Sequence, residues 1–525
     1  MNRPIVRLAA SVASGLLLVL AFPEPDVKGL AWIACLPLFL ALVSEKRLAR
    51  GFLWGLITGV VFLSGSLYWF VAVMMSYGGL DLPEALAAML LFLILFAPFW
   101  AVFGLIGTWV ARRSAALALL LLPFLWVAME IARTYLITGF PWNLLGYAIQ
   151  AQGIEQIASV TAVYGLSFLA AATSALLAWV MLRPRAAAAR AAIVIWIVAL
   201  VIADVLLVPP ALPQPRHLAV LVQPDVPLNE RQIGAWAPWR NPAPLERLAA
   251  LSIRTVRANQ SGTEGHPLVI WSENSAPFFF DRDPIFRGAL ESVARQSNAT
   301  VVANTTTFQG GDTAKPQNTA VVLNPLGEVI LEYHKIHLVP MGEYVPGWLR
   351  FTRMSKMTSE VSDFVPGSIY SAAETPDGAL SIFICYEAVF PQLVRRLTQP
   401  GPGVLVNISD DAWYGTSAAR YQHLNMARFR AIENHRYLLR ATNDGITVVV
   451  DPYGRVIKTA RPFCETAIAA HFTFLSRRTF YTAHGDVFAW ISVALSAIII
   501  VVAIIGDALS KRRGKKEQAA AEGIL

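Results

Sequence analysis

Charge is what this chain has least of. Only 15% of its 525 residues are Asp, Glu, Lys or Arg, against 55% hydrophobic, and a chain that apolar is no ordinary soluble enzyme. Cysteine is scarce too. Cys35, Cys385 and Cys464 do not form a metal-type cluster, so no cysteine metal site is implied. Being three, they leave at least one thiol outside any intramolecular disulfide. No internal repeat and no nucleic-acid motif is found. The net charge is +8, but much of the basic excess sits in short runs beside apolar segments, which points to membrane orientation. Ionisable residues are nearly absent deep in those segments, which weighs against a transporter or a receptor that only binds.

What is there comes in two kinds. Apolar runs occupy roughly 8–22, 29–44, 52–76, 85–110, 115–133, 158–182, 190–208 and 485–507. Most are long enough for a hydrocarbon core, which takes about 20 helical residues. The first follows Arg3 and Arg7 but lacks a clean small-x-small cleavage site, so it reads as a retained span. Basic residues mark alternate loops: Lys46, Arg47 and Arg50; Arg112 and Arg113; Arg183, Arg185 and Arg190; Lys511 to Lys516. The positive-inside rule then places both termini in the cytoplasm and the long segment 209–484 on the far face, the periplasm of a bacterium. Cys35 reads as a buried membrane residue, and Glu130 as the partner of Arg133 in an interfacial ion pair. The expected organisation is a membrane domain over 1–208 with seven helices, an outer domain over 209–484, an eighth helix over 485–507 and a basic cytoplasmic tail over 508–525.

Composition shifts at Pro209-Pro210. Beyond it, strand candidates (His217–Val222, Leu268–Trp271, Thr300–Thr306, Ala320–Leu323, Glu328–Glu332, Leu380–Cys385, Val404–Ile408, Ile446–Val450 and Thr466–Ala470) alternate with helix candidates over 243–259, 284–297, 389–398 and 419–440. That alternation predicts an α/β domain.

Three strand ends carry reactive groups: Glu273 after Trp271-Ser272, Lys335 in Tyr333-His334-Lys335-Ile336-His337, and Cys385 after Ile382-Phe383-Ile384. A cysteine at a strand-to-helix corner meets the positive end of the helix dipole, and a nearby lysine adds to that, so thiolate is the expected form. A carboxylate can take and return the thiol proton, and an ammonium can steady an oxyanion. Each residue alone is weak; the set describes acyl transfer.

These segments resemble the Glu-Lys-Cys triad of the nitrilase superfamily, and the chain over nearly its full length resembles the apolipoprotein N-acyltransferases. The specific stretches are Lys335-x-His337-Leu338-Val339-Pro340-x-Gly342-Glu343-x-Val345-Pro346, Cys385-Tyr386-Glu387 and Asn407-Ile408-Ser409-Asp410-Asp411-Ala412-Trp413-Tyr414-Gly415. Gln422-His423, Met426-Ala427-Arg428 and Thr442-Asn443-x-Gly445 support them. The resemblance implies a multi-pass α-helical membrane domain of eight spans carrying an α-β-β-α sandwich. It assigns Cys385 as nucleophile, Glu273 as general base and acid, Lys335 as stabiliser of the tetrahedral intermediate, and Glu343, Tyr386 and Glu387 as supporting residues. It implies a phospholipid acyl donor, a diacylglyceryl apolipoprotein acceptor, the bacterial inner membrane and a monomer. Ser272 stands where the family usually has Pro, and Asp410 and Asp411 where Asn is common. The apolar loops around Trp236, Trp239 and Trp348 suit contact with acyl chains; Trp236 and Trp239 both lie in the region of the family's functional tryptophan, and the spacing does not single out either. A membrane-tethered amidase acting on small polar substrates would share the triad and the fold.

Overall fold

The computed structural model describes residues 3–226, 241–276, 278–309, 315–347, 364–399, 401 and 403–522. The chain forms two compact units, one from residues 1–68, 87–208 and 486–525, the other from residues 69–86 and 209–485.

The first unit is helical. Among the described residues six helical stretches are long and apolar enough to cross a membrane: Leu48–Ser66, Leu82–Ala111, Ala115–Tyr135, Val163–Leu182, Ala187–Leu206 and Val487–Asp507. The first two apolar runs of the sequence give shorter helices, Pro4–Leu20 and Leu30–Val43, beside these six of full length. The second run is interrupted by local chemistry. A 3₁₀ turn over Leu30–Trp32 stops, and an α-helix restarts over Leu36–Val43 with Pro37 in its first turn, where a missing N–H costs nothing.

Two buried carboxylates in this unit, Glu45 and Glu130, accept hydrogen bonds from neighbouring donors. Arg7 Nη1 lies 2.7 Å from Glu45 Oε2, which also accepts from Trp54 Nε1 at 3.1 Å. Glu130 Oε1 accepts from Trp126 Nε1 at 2.9 Å and from the Leu145 amide at 2.8 Å.

Helices Leu48–Ser66 and Pro98–Ala111 meet backbone to backbone. A Cβ on Gly55 would fall on the Trp100 carbonyl oxygen, one on Gly51 on the Thr108 side chain, and one on Gly104 on the Gly51 carbonyl. Small residues four apart let helices approach this closely where no hydrophobic effect drives them together.

The second unit holds two six-stranded sheets. The first is built from β1 (His217–Gln223), β2 (Leu268–Trp271), β3 (Thr300–Gln309), β4 (Lys315–Leu323), β5 (Val329–His334) and β12 (Thr466–Phe472), in the order β12-β1-β2-β3-β4-β5. The second is built from β6 (Ala373–Thr375), β7 (Gly378–Ile384), β8 (Gly403–Ser409), β9 (Leu438–Thr442), β10 (Val448–Val450) and β11 (Val456–Thr459), in the order β11-β10-β9-β8-β7-β6. In each, three adjacent strands run parallel at the centre, β1-β2-β3 and β7-β8-β9, with antiparallel neighbours outside. Parallel strands covered on both faces read as unbroken apolar runs, as Leu218–Val222 and Val404–Val406 do.

The sheets face each other through β1, β2 and β9. Helices Ala243–Asn259 and Pro284–Ser297 cover the outside of the first, and Pro391–Thr398 and Ala419–Asn434 the outside of the second. The Pro284–Ser297 helix shows how local sequence sets an element. Asp283 Oδ1 caps the amides of Ile285 and Phe286, Pro284 takes the first turn, and Asn298 ends the helix in the left-handed region. Its Phe286, Leu290 and Val293 join Trp271 and Val301 in the core.

The glycine contact yields a direct test. Gly55→Val forces a side chain against backbone and should cost about 1–3 kcal/mol, lowering the thermal midpoint of the detergent-solubilised protein. Gly506→Ala, whose Cβ meets nothing within 4 Å, should leave it unchanged. Equal midpoints for the two variants would contradict this packing.

Candidate active site

Four strand ends converge in the second unit. Glu273 follows β2 by one residue, Lys335 follows β5 directly, Cys385 follows β7, and Ser409 ends β8 with Asp410 next. All are buried: Glu273 is 4% exposed, Lys335 1% and Cys385 7%.

Lys335 Nζ lies 2.8 Å from Glu343 Oε1 and 3.6 Å from Glu273 Oε1. Asn318 bridges the same two carboxylates. Its Nδ2 donates to Glu273 Oε1 at 2.8 Å and to Glu343 Oε1 at 2.9 Å. The second oxygen of Glu273 accepts the Asp410 amide at 2.9 Å, and that of Glu343 accepts the Val339 amide at 2.8 Å. Asn318 is itself held, since its Oδ1 accepts from Asn304 Nδ2 at 2.7 Å. The structure thus brings Glu273, Lys335 and Glu343 into one cluster and adds Asn304 and Asn318, which the sequence reading missed. Each Asn sits in a polar stretch of its strand, Asn304-Thr305-Thr306-Thr307 in β3 and Gln317-Asn318-Thr319 in β4, so neither stands out from its neighbours.

Cys385 sits at a sharp corner with φ +49°, a conformation that L side chains adopt reluctantly. It opens a 3₁₀ turn, Cys385–Val389. Glu387 closes the corner. One of its oxygens accepts the Ile384 amide at 2.7 Å; the other accepts the Ile336 amide at 2.7 Å and the His337 amide at 3.1 Å. The Tyr333 hydroxyl donates to both. Glu387 therefore ties the cysteine corner to the segment that carries Lys335. The Tyr386 ring packs edge-on against Phe390, with centroids 5.2 Å apart. Trp236, Trp239 and Trp348 lie outside the described residues.

The charge states differ from the expected thiolate. Burial pushes the Cys385 thiol well above its ordinary value, the Glu273 carboxylate pushes the same way, and the pull of Lys335 and of a hydrogen bond with Ser409 does not offset them. Cys385 therefore rests as a thiol. Burial draws the Lys335 ammonium downward, but Glu343 and Glu273 outweigh it and hold the charge in place. Burial raises Glu387 to about 7 despite its backbone donors, and raises Asp410 to about 8, with the Glu273 charge adding to the effect and a donor from Asn274 opposing it. All three cysteines are free thiols.

Asp410 gives a pH test. A carboxyl whose folded value is raised binds its proton more tightly folded than unfolded, so its contribution is full below the unfolded value near about 4 and is lost as pH rises through about 8. Asp410→Asn removes that titration. Its thermal midpoint relative to the parent should therefore rise between pH 5 and pH 8 (about the window between the two values); a difference that stays flat would contradict the assignment.

A profile described as apolipoprotein N-acyltransferase N-terminal domain matches residues 14–176, and one described as carbon-nitrogen hydrolase matches residues 230–475. The apolipoprotein N-acyltransferase of Geobacter metallireducens is 34% identical over 508 residues, covering 94% of either chain. That of Methylococcus capsulatus is 32% identical over 522 residues, covering 96% of either chain. Among solved structures, Saccharomyces cerevisiae Nit3, described as a member of branch 10 of the nitrilase superfamily, aligns with 52% of this chain and 95% of its own at 20% identity and a TM-score of 0.38. With curated relatives matched almost end to end, this chain belongs to the apolipoprotein N-acyltransferase family.

Proposed function

We propose that the protein moves an acyl chain from a phospholipid to the α-amino group of the N-terminal diacylglyceryl-cysteine of apolipoproteins, by way of a thioester on Cys385. The observation that carries this reading is the burial of one thiol, Cys385, within the field of a carboxylate and an ammonium, Glu273 and Lys335, in a chain of this family.

Cys385 Sγ attacks the ester carbonyl of the donor while Glu273 takes the thiol proton. The oxyanion of the tetrahedral intermediate is met by the Lys335 ammonium, which is already charged and already desolvated. The C–O bond breaks, Glu273 returns the proton to the departing glycerol oxygen, and a lysophospholipid leaves. The acceptor amine then attacks the thioester, Glu273 takes its proton, the C–S bond breaks and the thiol is regenerated as the amide forms. Because the resting thiol is protonated, a base within reach is required, and Glu273, gripped at both oxygens by Asn318 and the Asp410 amide, is the group oriented for it. Glu343 and Asn318 set the distance between base and ammonium; Glu387 and Tyr386 hold the cysteine corner. No metal or organic cofactor takes part in these steps.

The protein is placed in the bacterial inner membrane as a monomer. Both termini are cytoplasmic, and residues 209–484 face the periplasm, as the basic loops suggest. The segments bearing Trp236, Trp239 and Trp348 are assigned to acyl-chain contact.

Two-substrate kinetics tests the scheme. Varying phospholipid at several fixed lipopeptide concentrations should give parallel double-reciprocal lines, since the first product leaves before the second substrate reacts. Glu273→Gln should lower kcat by about a hundred- to ten-thousand-fold. Intersecting lines, or a Glu273→Gln enzyme of undiminished rate, would overturn it.

A further inference from the structure

His423, on the Ala419–Asn434 helix, is fully buried and touches the nucleophile's backbone rather than its side chain. Its Nε2 lies 3.1 Å from the Cys385 carbonyl oxygen. A carbonyl only accepts, so Nε2 carries the hydrogen. Its Nδ1 lies 3.1 Å from Arg440 Nη2 and 3.1 Å from Asp411 Oδ1. In the neutral ring Nδ1 is then an acceptor, and the Arg440 guanidinium is the donor that fills it. Arg440 is fixed in turn: both oxygens of Asp411 lie 2.8 Å from its Nη2, and Asn407 Oδ1 accepts from its Nη1. All four of these side chains are 0–1% exposed. Burial and the Arg440 charge both press His423 toward the neutral form.

We infer that His423 is a positioning residue whose tautomer, selected by the Arg440–Asp411 ion pair, aims one N–H at the Cys385 carbonyl and so holds the nucleophile's corner in its left-handed conformation. The corner is gripped from both sides: Glu387 takes the amide of Ile384 just before Cys385, and His423 takes the carbonyl of Cys385 itself. Asp411 serves a second branch of the same network, because Ser409, at the end of β8 beside the Cys385 corner, donates from its Oγ to Asp411 Oδ1 at 3.0 Å. One buried ion pair thus sets both the backbone and the immediate surroundings of the reacting sulfur. His423 meets the triad at the Cys385 carbonyl, so its effect passes through the geometry of that residue.

This inference rests on the proposed role of Cys385, and the test separates the two. In a glutamine the side-chain N–H₂ reaches where the histidine Nε2 is; in an asparagine it falls short, near Nδ1. His423→Gln should keep kcat within about threefold of the parent, whereas His423→Asn should lose about 10- to 100-fold in kcat with KM for phospholipid unchanged. Alkylation of Cys385 by iodoacetamide, followed by peptide mass spectrometry, should slow in the same order. That readout needs no acyl donor, so it stands even if the donor is something other than a phospholipid. A fully active His423→Asn enzyme, or a folded His423→Gln enzyme as impaired as His423→Asn, would overturn the inference. Should His423→Asn not fold, ¹⁵N-histidine spectra of the unmodified protein decide: a neutral ring protonated at Nε2 is required, and protonation at Nδ1 alone contradicts it.

Discussion

A lysine ammonium with 1% of its surface exposed must be paired or lose its charge, and much of the site follows from how this chain pairs it. Lys335 is held between Glu343 and Glu273, and the excess of negative charge is spread over Asn318 and the amides of Asp410 and Val339. These partners come from β4, from the ends of β2, β5 and β8, and from the loop that carries Glu343. The polar cluster can be completed only when both sheets are formed. An ammonium fixed in this way needs little reorganisation when negative charge develops beside it, which is the condition under which electrostatic stabilisation is most effective.

The same burial acts oppositely on the sulfur. Water is excluded and Glu273 is near, so Cys385 rests as a thiol rather than as the thiolate that a helix start and a lysine suggest. The 3₁₀ turn at Cys385–Val389 is too short to supply the dipole of a long helix, and desolvation dominates. Burial of this kind shields a thiol from adventitious oxidation and alkylation.

Much of this was legible in the residues. Apolar strands with Glu273, Lys335 and Cys385 at their ends stand out because a charged or nucleophilic group at the exit of a buried run has few structural explanations. What escaped was written in residues whose partners lie far away in sequence. β9 (Leu438–Thr442) was absorbed into a helix candidate running to 440. His435 ends that helix in the left-handed region, and Arg440 is buried with its charge paired to Asp411. Asn304 and Asn318 carry no motif; only the β3–β4 register brings them to the carboxylates. Hydropathy does not register the break near Pro37, where a helix restarts, so the second apolar run holds a short helix rather than one continuous long one. At Ser272, where the family usually has Pro, the hydroxyl is buried with no hydrogen-bond partner among the described residues, so the departure adds a polar atom that the site does not use.

The account turns on whether an acyl chain rests on Cys385. The purified protein, incubated in detergent with phospholipid and without any lipoprotein, should gain the mass of one acyl chain. The gain should be removed by hydroxylamine and should be absent from Cys385→Ala. A folded wild-type protein that gains no mass, or a Cys385→Ala protein that gains as much, would contradict the thioester and with it the route proposed for the chain.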